Sequence, residues 1–347
     1  MPNPILTDAI DRLCRGEALS GDEAAGCLRE LMEGRASEAQ AAGLLIAFRS
    51  KGETVEEIAG MARAMRELAT PVVTAHDDLV DTAGTGGGRP TFNVSTTAAF
   101  VAAGAGCRVA KHGNRSATGR SGSADVLEAL GARIDLDPAA VATCIDEIGF
   151  GFMFAPAHHP AMRHVVPVRK ELAVRTIFNF LGPLTNPAGA RRQLIGVSDR
   201  RFLDFMAAAL GELGCEHALV VSSEDGLDEL SVSGPTHAVE LRDGRIETRT
   251  ITPESVGLRS APQDAVAAGT PERNAGIARA VLAGGQGAER DLTVLNAGAA
   301  IYVGGAAESI EEGVRMAERA VDSGAAREVM ERFVGRTGEL GSPEGAR

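Results

Sequence analysis

Three short stretches of this sequence gather residue types that bind anions or cations. The first is Asp81-Thr82-Ala83-Gly84-Thr85-Gly86-Gly87-Gly88, at the end of an apolar run, followed by Thr91-Phe92-Asn93-Val94-Ser95-Thr96, which opens a helical pattern. Consecutive glycines let backbone N–H groups curl into a concave anion nest, and a helix N-terminus adds its positive dipole. No Gly-Lys-Ser/Thr follows, and Arg89 takes the place of the last glycine in G-x-G-x-x-G, so neither common nucleotide-binding pattern applies. A tight structural turn is the competing reading of this loop. The second stretch, Lys111-His112-Gly113-Asn114-Arg115 running on to Ser123, brings three cations and several hydroxyls into an otherwise acidic chain. It follows an apolar strand pattern, and in α/β proteins ligands lie at the carboxyl ends of strands; a solvated basic loop is the alternative.

The third stretch is Glu224-Asp225-Gly226-Leu227-Asp228-Glu229, four carboxylates in a loop. Hard oxygen ligands of this kind suit Mg²⁺, which takes one or two carboxylates and shares its remaining positions with water and phosphate; an exposed acidic turn is the other reading. His158-His159-Pro160-Ala161-Met162-Arg163-His164 lacks metalloprotease spacing, and Pro160 prevents the helical register that would pair two imidazoles. A single histidine orienting a ligand fits better. Downstream, Val168-Arg169-Lys170 and Arg175 to Pro187 read as an apolar helix with cations at its start, able to present Arg169 to a carboxylate in bidentate form.

Elements must hold these loops in place, and their signals differ along the chain. Ile5, Leu6, Ala9, Ile10 and Leu13 share one helical face, and Ser20 with Glu23, Ser37 with Gln40 and Thr54 with Glu57 form capping boxes. Residues 1–70 are therefore expected to be a small all-α domain, ended by Pro71. From Leu79 short apolar runs alternate with helical segments, which predicts an α/β domain over 71–347 with a mainly parallel central sheet. Strands are expected at Leu79–Thr82, Arg108–Lys111, Arg133–Leu136, Gly151–Ala155 and Ala218–Ser222. Helices are expected at Ser95–Gly104 and Ala124–Leu130, and Asp243-Gly244 predicts a hairpin between His237–Leu241 and Arg245–Ile251. The tail after Gly335 reads as frayed.

A chain of 347 residues exceeds the usual reach of one core, in keeping with two domains. A net charge of −12 argues against nucleic-acid binding, and an aromatic share of 3% argues against a large aromatic cleft. The five cysteines form no C-x-x-C pair and read as small core residues in a reducing compartment. No signal peptide opens the sequence and no run approaches the roughly 18 apolar residues of a membrane helix, so the cytoplasm is the expected location and no membrane partner is expected.

Taken in order, Gly84–Gly87 with Thr91–Thr96, Lys111–Arg115 with Ser121–Val126, His158–Met162, Arg175–Pro187 and Asp225–Ser231 resemble the anthranilate phosphoribosyltransferases over nearly the whole chain. The resemblance implies phosphoribosyl transfer from PRPP to the amine of anthranilate in tryptophan biosynthesis, by a pentosyltransferase that is usually a homodimer through the helical domain. PRPP would lie over Gly84, Gly87, Gly88, Thr91, Asn93, Val94, Ser95, Thr96 and Lys111, His112, Gly113, Asn114, Arg115, Ser116, Ala117, Thr118 and Gly119, with Ser123 nearby. Ser95, Asp228 and Glu229 match the family's metal ligands, implying Mg²⁺ as two ions per site. Anthranilate would meet Gly84, Asn114 and Arg169, with His112, His159 and Pro183 along its path. No residue stands out as a general base; Lys111, Asp228 and Glu229 are expected to stabilise the transition state. Helices around 165–187 are expected to join the helical domain.

The chain departs from the family's usual pattern at three points. Gly88 stands where an Asp is common in a loop one residue longer, predicting altered Mg²⁺ or PRPP dependence. Thr118-Gly119 replaces Ser-Ser, and Ala173, where Gly is common, reads as a packing variant. A phosphorylase of the same fold is disfavoured by Arg169 and the Arg175–Pro187 stretch, and a non-catalytic binding protein by the acidic balance and the Asp228-Glu229 pair.

Overall fold

In a computed structural model, which describes residues 2–116 and 121–341, the chain opens with four helices, α1 (Pro4–Cys14), α2 (Gly21–Met32), α3 (Glu38–Lys51) and α4 (Val55–Glu67). Ser20/Glu23 and Thr54/Glu57 close full capping boxes, each hydroxyl accepting from the third backbone N–H while the glutamate accepts from the cap. Ser37 caps α3, but Gln40 turns away to exchange hydrogen bonds with the Asn3 backbone, tying α3 to α1. Helix α4 stops at Glu67, four residues before Pro71, so proline is not what ends it.

The α/β part follows: β1 (Leu79–Gly84), α5 (Val94–Gly104), β2 (Arg108–Gly113), α6 (Ser123–Ala129), α7 (Pro138–Ile148), β3 (Phe150–Phe154), α8 (Ala155–His158), α9 (Val166–Leu172), α10 (Phe178–Leu184), β4 (Arg192–Gly196), α11 (Leu203–Glu212), β5 (His217–Ser223), β6 (Thr236–Arg242) and β7 (Arg245–Ile251). Four helices end the chain: α12 (Pro271–Leu282), α13 (Ala288–Val303), α14 (Ile310–Asp322) and α15 (Ala325–Leu340). The sheet runs β3-β2-β1-β4-β5-β6-β7, parallel from β3 through β5 and antiparallel beyond. Asp243 (φ 49°) and Gly244 (φ 77°) turn the last hairpin, as two consecutive positive φ values in a two-residue loop require.

Several sequence expectations need correction. Arg133–Leu136 is not a strand: it is irregular chain between α6 and α7, and alternation alone could not distinguish the two. A strand was missed at Arg192–Gly196, where the run Gln-Leu-Ile is short and flanked by arginines. Arg169 to Pro187 is two helices, broken where Ala173 adopts φ 51°. That left-handed conformation favours glycine, so the substitution at 173 is a backbone matter and not a packing one. The tail is helical to Leu340. Cys27, Cys107 and Cys144 are core residues, but Cys14 is exposed and Cys215 half-buried.

Side chains alternate across the strands into two cores. Leu194, Leu219 and Val221 face a core built with α5, α13 and α15, whereas Ile195, Ala218 and Val220 face α11. The second core continues without a break into α1–α4 and takes in Val165, Val168, Ile177, Phe178, Leu181 and Leu184. Helices α9 and α10 thus pack with the N-terminal helices.

Candidate active site

The strand order turns over between β1 and β4, and the crevice at their carboxyl ends is where open α/β sheets bind ligands. The glycine loop 84–88 leaves β1 at that crevice, the loop 224–229 leaves β5 beside it, and Lys111 lies in β2.

Buried polar contacts fix the floor. Lys111 donates through Nζ to the Thr82 carbonyl and, at 3.1 Å, to Thr82 Oγ1. Asp81 accepts from the His112 amide (3.1 Å) and from Asn186 Nδ2 (2.8 Å), which also reaches the Ala110 carbonyl at 2.8 Å. Burial pushes the Asp81 carboxyl up to about 6 against the pull of Lys111 and Asn186, and pushes the Lys111 ammonium down to about 8 against Asp81 and Glu229. At neutral pH both remain charged.

The four carboxylates of the acidic loop divide their work. Glu224 is exposed and faces His237 at 3.0 Å. Asp225 accepts from Ser223 Oγ, Ser231 Oγ and, at 2.8 Å, from the Arg89 guanidinium, which also donates to the Gln263 carbonyl at 2.9 Å. Arg89 therefore clamps the shortened glycine loop to the acidic loop, and Asp225 absorbs its charge. Asp228 and Glu229 are buried next to each other: Glu229 accepts from Thr91 Oγ1 at 3.0 Å, and burial first, then Asp228, raises its proton affinity, while burial raises that of Asp228. Two adjacent carboxylates whose burial disfavours their charge are a donor set that a divalent cation would relieve. Ser95 lies at the first turn of α5, its carbonyl accepting from Thr82 Oγ1 at 3.3 Å. A Cβ on Gly88 would stand 2.5 Å from Asp228 Oδ1 and 2.7 Å from its backbone nitrogen, so the missing acid at 88 is a steric requirement of Asp228 in this chain.

The other expected ligand-binding residues that are described lie at the start of α5, at the end of β2 and after it, and on or beside α6 and α8 to α10. Asn93 adopts φ 66° and is locked at both ends, its Oδ1 accepting from Ser121 Oγ (2.7 Å) and Asn274 Nδ2 (2.9 Å), its Nδ2 donating to the Ser121 carbonyl (2.9 Å). Val94 and Thr96 are buried in α5. The Asn114 carbonyl accepts from Ser123 Oγ at 3.2 Å. Arg115 turns outward to Asp125 (3.0 Å) and Glu128 (2.5 Å), and the Ser116 amide donates to Asp125 at 3.2 Å. Ala117, Thr118 and Gly119 lie outside the described residues. Asn274, a lone buried amide on α12, carried no sequence signal, and Arg175, read from the sequence only as a cation opening an apolar motif, sends its guanidinium back over Gly87 to the Gly86 carbonyl.

Beyond the floor, three histidines cluster. His112 donates from Nδ1 to the Gly182 carbonyl at 3.2 Å, leaving Nε2 buried without a partner. Its ring lies 5.1 Å from that of His159, neither of whose nitrogens makes a hydrogen bond of good geometry, and His158 bonds the Thr70 carbonyl through Nδ1 alone. Burial holds His112 down to about 3 and His159 to about 4, so both are neutral. Pro183 is buried in α10, and the Arg169 guanidinium sits 5.3 Å from the Phe178 ring with no carboxylate partner among the described residues. A largely desolvated guanidinium with no such partner suits a small planar anion.

Comparison with known proteins gives a consistent match. The description "Glycosyl transferase family, helical bundle domain" fits residues 7–69, and "Glycosyl transferase family, a/b domain" fits residues 76–327. The chain is 57% identical over 332 residues to the anthranilate phosphoribosyltransferase of Rubrobacter xylanophilus, covering 95% of this chain and 97% of the relative. It is 52% identical over 325 residues to that of Symbiobacterium thermophilum, covering 93% and 95%. Among solved structures, the Thermus thermophilus anthranilate phosphoribosyltransferase superposes with a TM-score of 0.91 at 48% identity, covering 95% of this chain and 99% of that one. The Saccharomyces cerevisiae enzyme in complex with PRPP and Mg gives 0.88 at 27% identity, covering 96% and 98%.

Proposed function

The chain belongs to the glycosyl transferase family, among its anthranilate phosphoribosyltransferases, and from that premise we propose how its residues carry out the transfer. The 5-phosphoribosyl group of PRPP passes to the amine of anthranilate, and pyrophosphate leaves. The observation that carries the site reading is the buried Asp228-Glu229 pair set against the glycine loop at the turnover of the sheet.

PRPP lies along Gly84, Gly87, Gly88, Thr91 and Asn93 to Thr96, with its far side toward Lys111 to Gly119 and Ser123. Asp228, Glu229 and Ser95 hold Mg²⁺, in our reading as two ions, and a relative in this family has been solved with PRPP and Mg bound. Bound there, Mg²⁺ neutralises charge that grows on the departing pyrophosphate. Lys111 adds a fixed positive charge beneath the loop, and backbone N–H groups of the loop donate to the same oxygens. Arg169 takes the anthranilate carboxylate, and Asn114 with Gly84 flanks the amine. His112 and His159, held neutral by burial, line the approach with Pro183, and the bare Nε2 of His112 is placed to accept a hydrogen bond from the ligand. An aromatic ammonium sheds its proton to water readily, so positioning is the larger demand.

We further propose a homodimer. An apolar groove of about 620 Å³ between α1 and α3, lined by Ile10, Leu13, Cys14, Ala42, Gly43 and Ile46, leaves Ile5 half exposed on the helices expected to form the contact. No helix of the described residues is long and apolar enough to cross a membrane, and we assign the enzyme to the cytoplasm.

The decisive assay follows the loss of anthranilate fluorescence when PRPP and Mg²⁺ are added to purified protein. Turnover is expected; its absence overturns the reading. Arg169→Ala is expected to raise the anthranilate KM far more than the PRPP KM.

A further inference from the structure

The site reading leaves one charged group without a role. Arg175 stands in the short segment between α9 and α10, two residues after the left-handed Ala173, and its side chain is exposed. The guanidinium donates to the Gly86 carbonyl and, at 3.0 Å, to Ser198 Oγ in the loop that follows β4. Both hydrogen-bond acceptors are neutral, while its charge acts on the nearby carboxylates of Asp228 and Asp199. Its path crosses the glycine loop so closely that a Cβ on Gly87 would stand 2.0 Å from Nη2.

The other end of Arg175 is also held. Its backbone carbonyl accepts from Arg49 Nη1 at 2.7 Å, and Arg49 belongs to the last turn of α3. A continuous path therefore runs from the N-terminal helices through Arg49 and the Arg175 main chain to the Gly86 carbonyl. Gly86 in turn lies between two charges, with Arg175 on its carbonyl and the Asp228 carboxylate close to its amide.

We infer that Arg175 is a positioning residue for the pyrophosphate end of the site: it fixes the glycine loop from above, sets positive charge beside Asp228, and ties that loop to the helical bundle through Arg49. The assignment rests on the transferase reading and adds a residue to it. Consecutive left-handed glycines at 86 (φ 67°) and 87 (φ 85°) have the freest backbone in the site and no side chains of their own to anchor it. A guanidinium that bonds the loop from outside supplies the anchor. Because its hydrogen bonds go only to neutral acceptors, its positive charge also favours the arrival of a polyanion over that of a neutral or singly charged ligand.

The test uses the intact enzyme and two readouts. Calorimetric titration with Mg²⁺ and inorganic pyrophosphate reports the anion end directly; steady-state kinetics separate the two KM values. Arg175→Gln is expected to weaken pyrophosphate binding and raise the PRPP KM, each by about tenfold or more, while the anthranilate KM moves less than about twofold. Arg175→Lys is expected to recover part of the loss, since charge returns without the two-pronged geometry. Arg49→Met is expected to act in the same direction more weakly, and the double variant to be no worse than Arg175→Gln, as two residues on one path should be. Ser198→Ala, a milder change at the second anchor, gives the same sign if Arg175→Gln folds poorly. Unchanged pyrophosphate affinity in Arg175→Gln, or in Ser198→Ala where that is the variant that folds, overturns the inference, as does an equal rise in both KM values. The transferase reading is judged separately by wild-type turnover: an active wild type with an indifferent Arg175 removes this inference alone.

Discussion

Lys111 and His112 are neighbours in β2, equally buried, and have opposite surroundings. Around Lys111 the polar groups form a closed set: its ammonium, Thr82, Asp81, Asn186 and the Ala110 carbonyl answer one another. Around His112, three imidazoles share four nitrogens with no partner. Burying a polar atom without a hydrogen bond costs about 1–3 kcal/mol, so a fold keeps such atoms only where something else answers them. The closed network holds the floor in shape; the open cluster is a place kept for a ligand. The Asp228-Glu229 pair belongs with the open cluster, since burial raises the proton affinity of both carboxylates and Asp228 raises that of Glu229 further.

The sharpest way to break this contrast is Lys111→Met. It strands Asp81 in the interior and is expected to lower the unfolding free energy in urea by about 3–5 kcal/mol; a change below about 1 kcal/mol would mean the network is not closed in the sense argued. Asp228→Asn should behave in the other way, losing about 10²–10³ in kcat/KM with the thermal midpoint unchanged or higher, because one of two mutually repelling acids is gone. Thermal melts beside the fluorescence assay separate the two outcomes. Gly88→Ala presses on the Asp228 backbone and carboxylate at 2.5–2.7 Å, and a cost of about 1–3 kcal/mol is expected, seen as a shifted Mg²⁺ titration. Full Mg²⁺ response in that variant would show that the missing acid at 88 is incidental.

The smallest effect concerns pH. The histidines are held neutral below their ordinary value, to about 3 for His112 and about 4 for His159, so the unfolded chain binds more protons below pH 6.5. Their contribution is present above that pH and declines as it falls, by about 1.4 kcal/mol per unit for each group. Asp81, raised to about 6, works against this between its ordinary value and 6. His159→Phe should flatten the stability-versus-pH curve from 6.5 toward 4 by one group's share, leave stability at pH 7.5 equal or higher, and raise only the anthranilate KM. An unaltered slope would show that His159 is not buried neutral.

The sequence made the loops legible because each is a run of one chemistry: glycines, cations, carboxylates. It could not say which member of a run does what. Among four acidic-loop carboxylates, Asp225 serves Arg89 and Glu224 faces solvent, a division set by where the chain turns after β5. Asn274 was illegible for a different reason, being an isolated residue whose partner lies 181 positions away, and Arg175 was legible only as a cation heading an apolar motif, its Gly86 contact lying 89 positions away. Strong local signals, such as the Ser20/Glu23 and Thr54/Glu57 capping boxes and Asp243-Gly244, translated directly into structure, whereas Gln40 left its expected box with Ser37 for the Asn3 backbone. Weak ones failed where an apolar run was too short to distinguish strand from irregular chain, at Arg133–Leu136 and Arg192–Gly196.

The second core, which passes unbroken from α1–α4 through α9 and α10 to one face of the sheet, governs how the molecule can move and come apart. Helix α10 packs against α4, so swinging the N-terminal helices away from it would expose Leu181 and Leu184 to water, and sliding of packed helices is the less costly way to close over two substrates. The same continuity ties the helices and the sheet into one cooperative unit, and hydrogen exchange in α4 and β4 should be lost together.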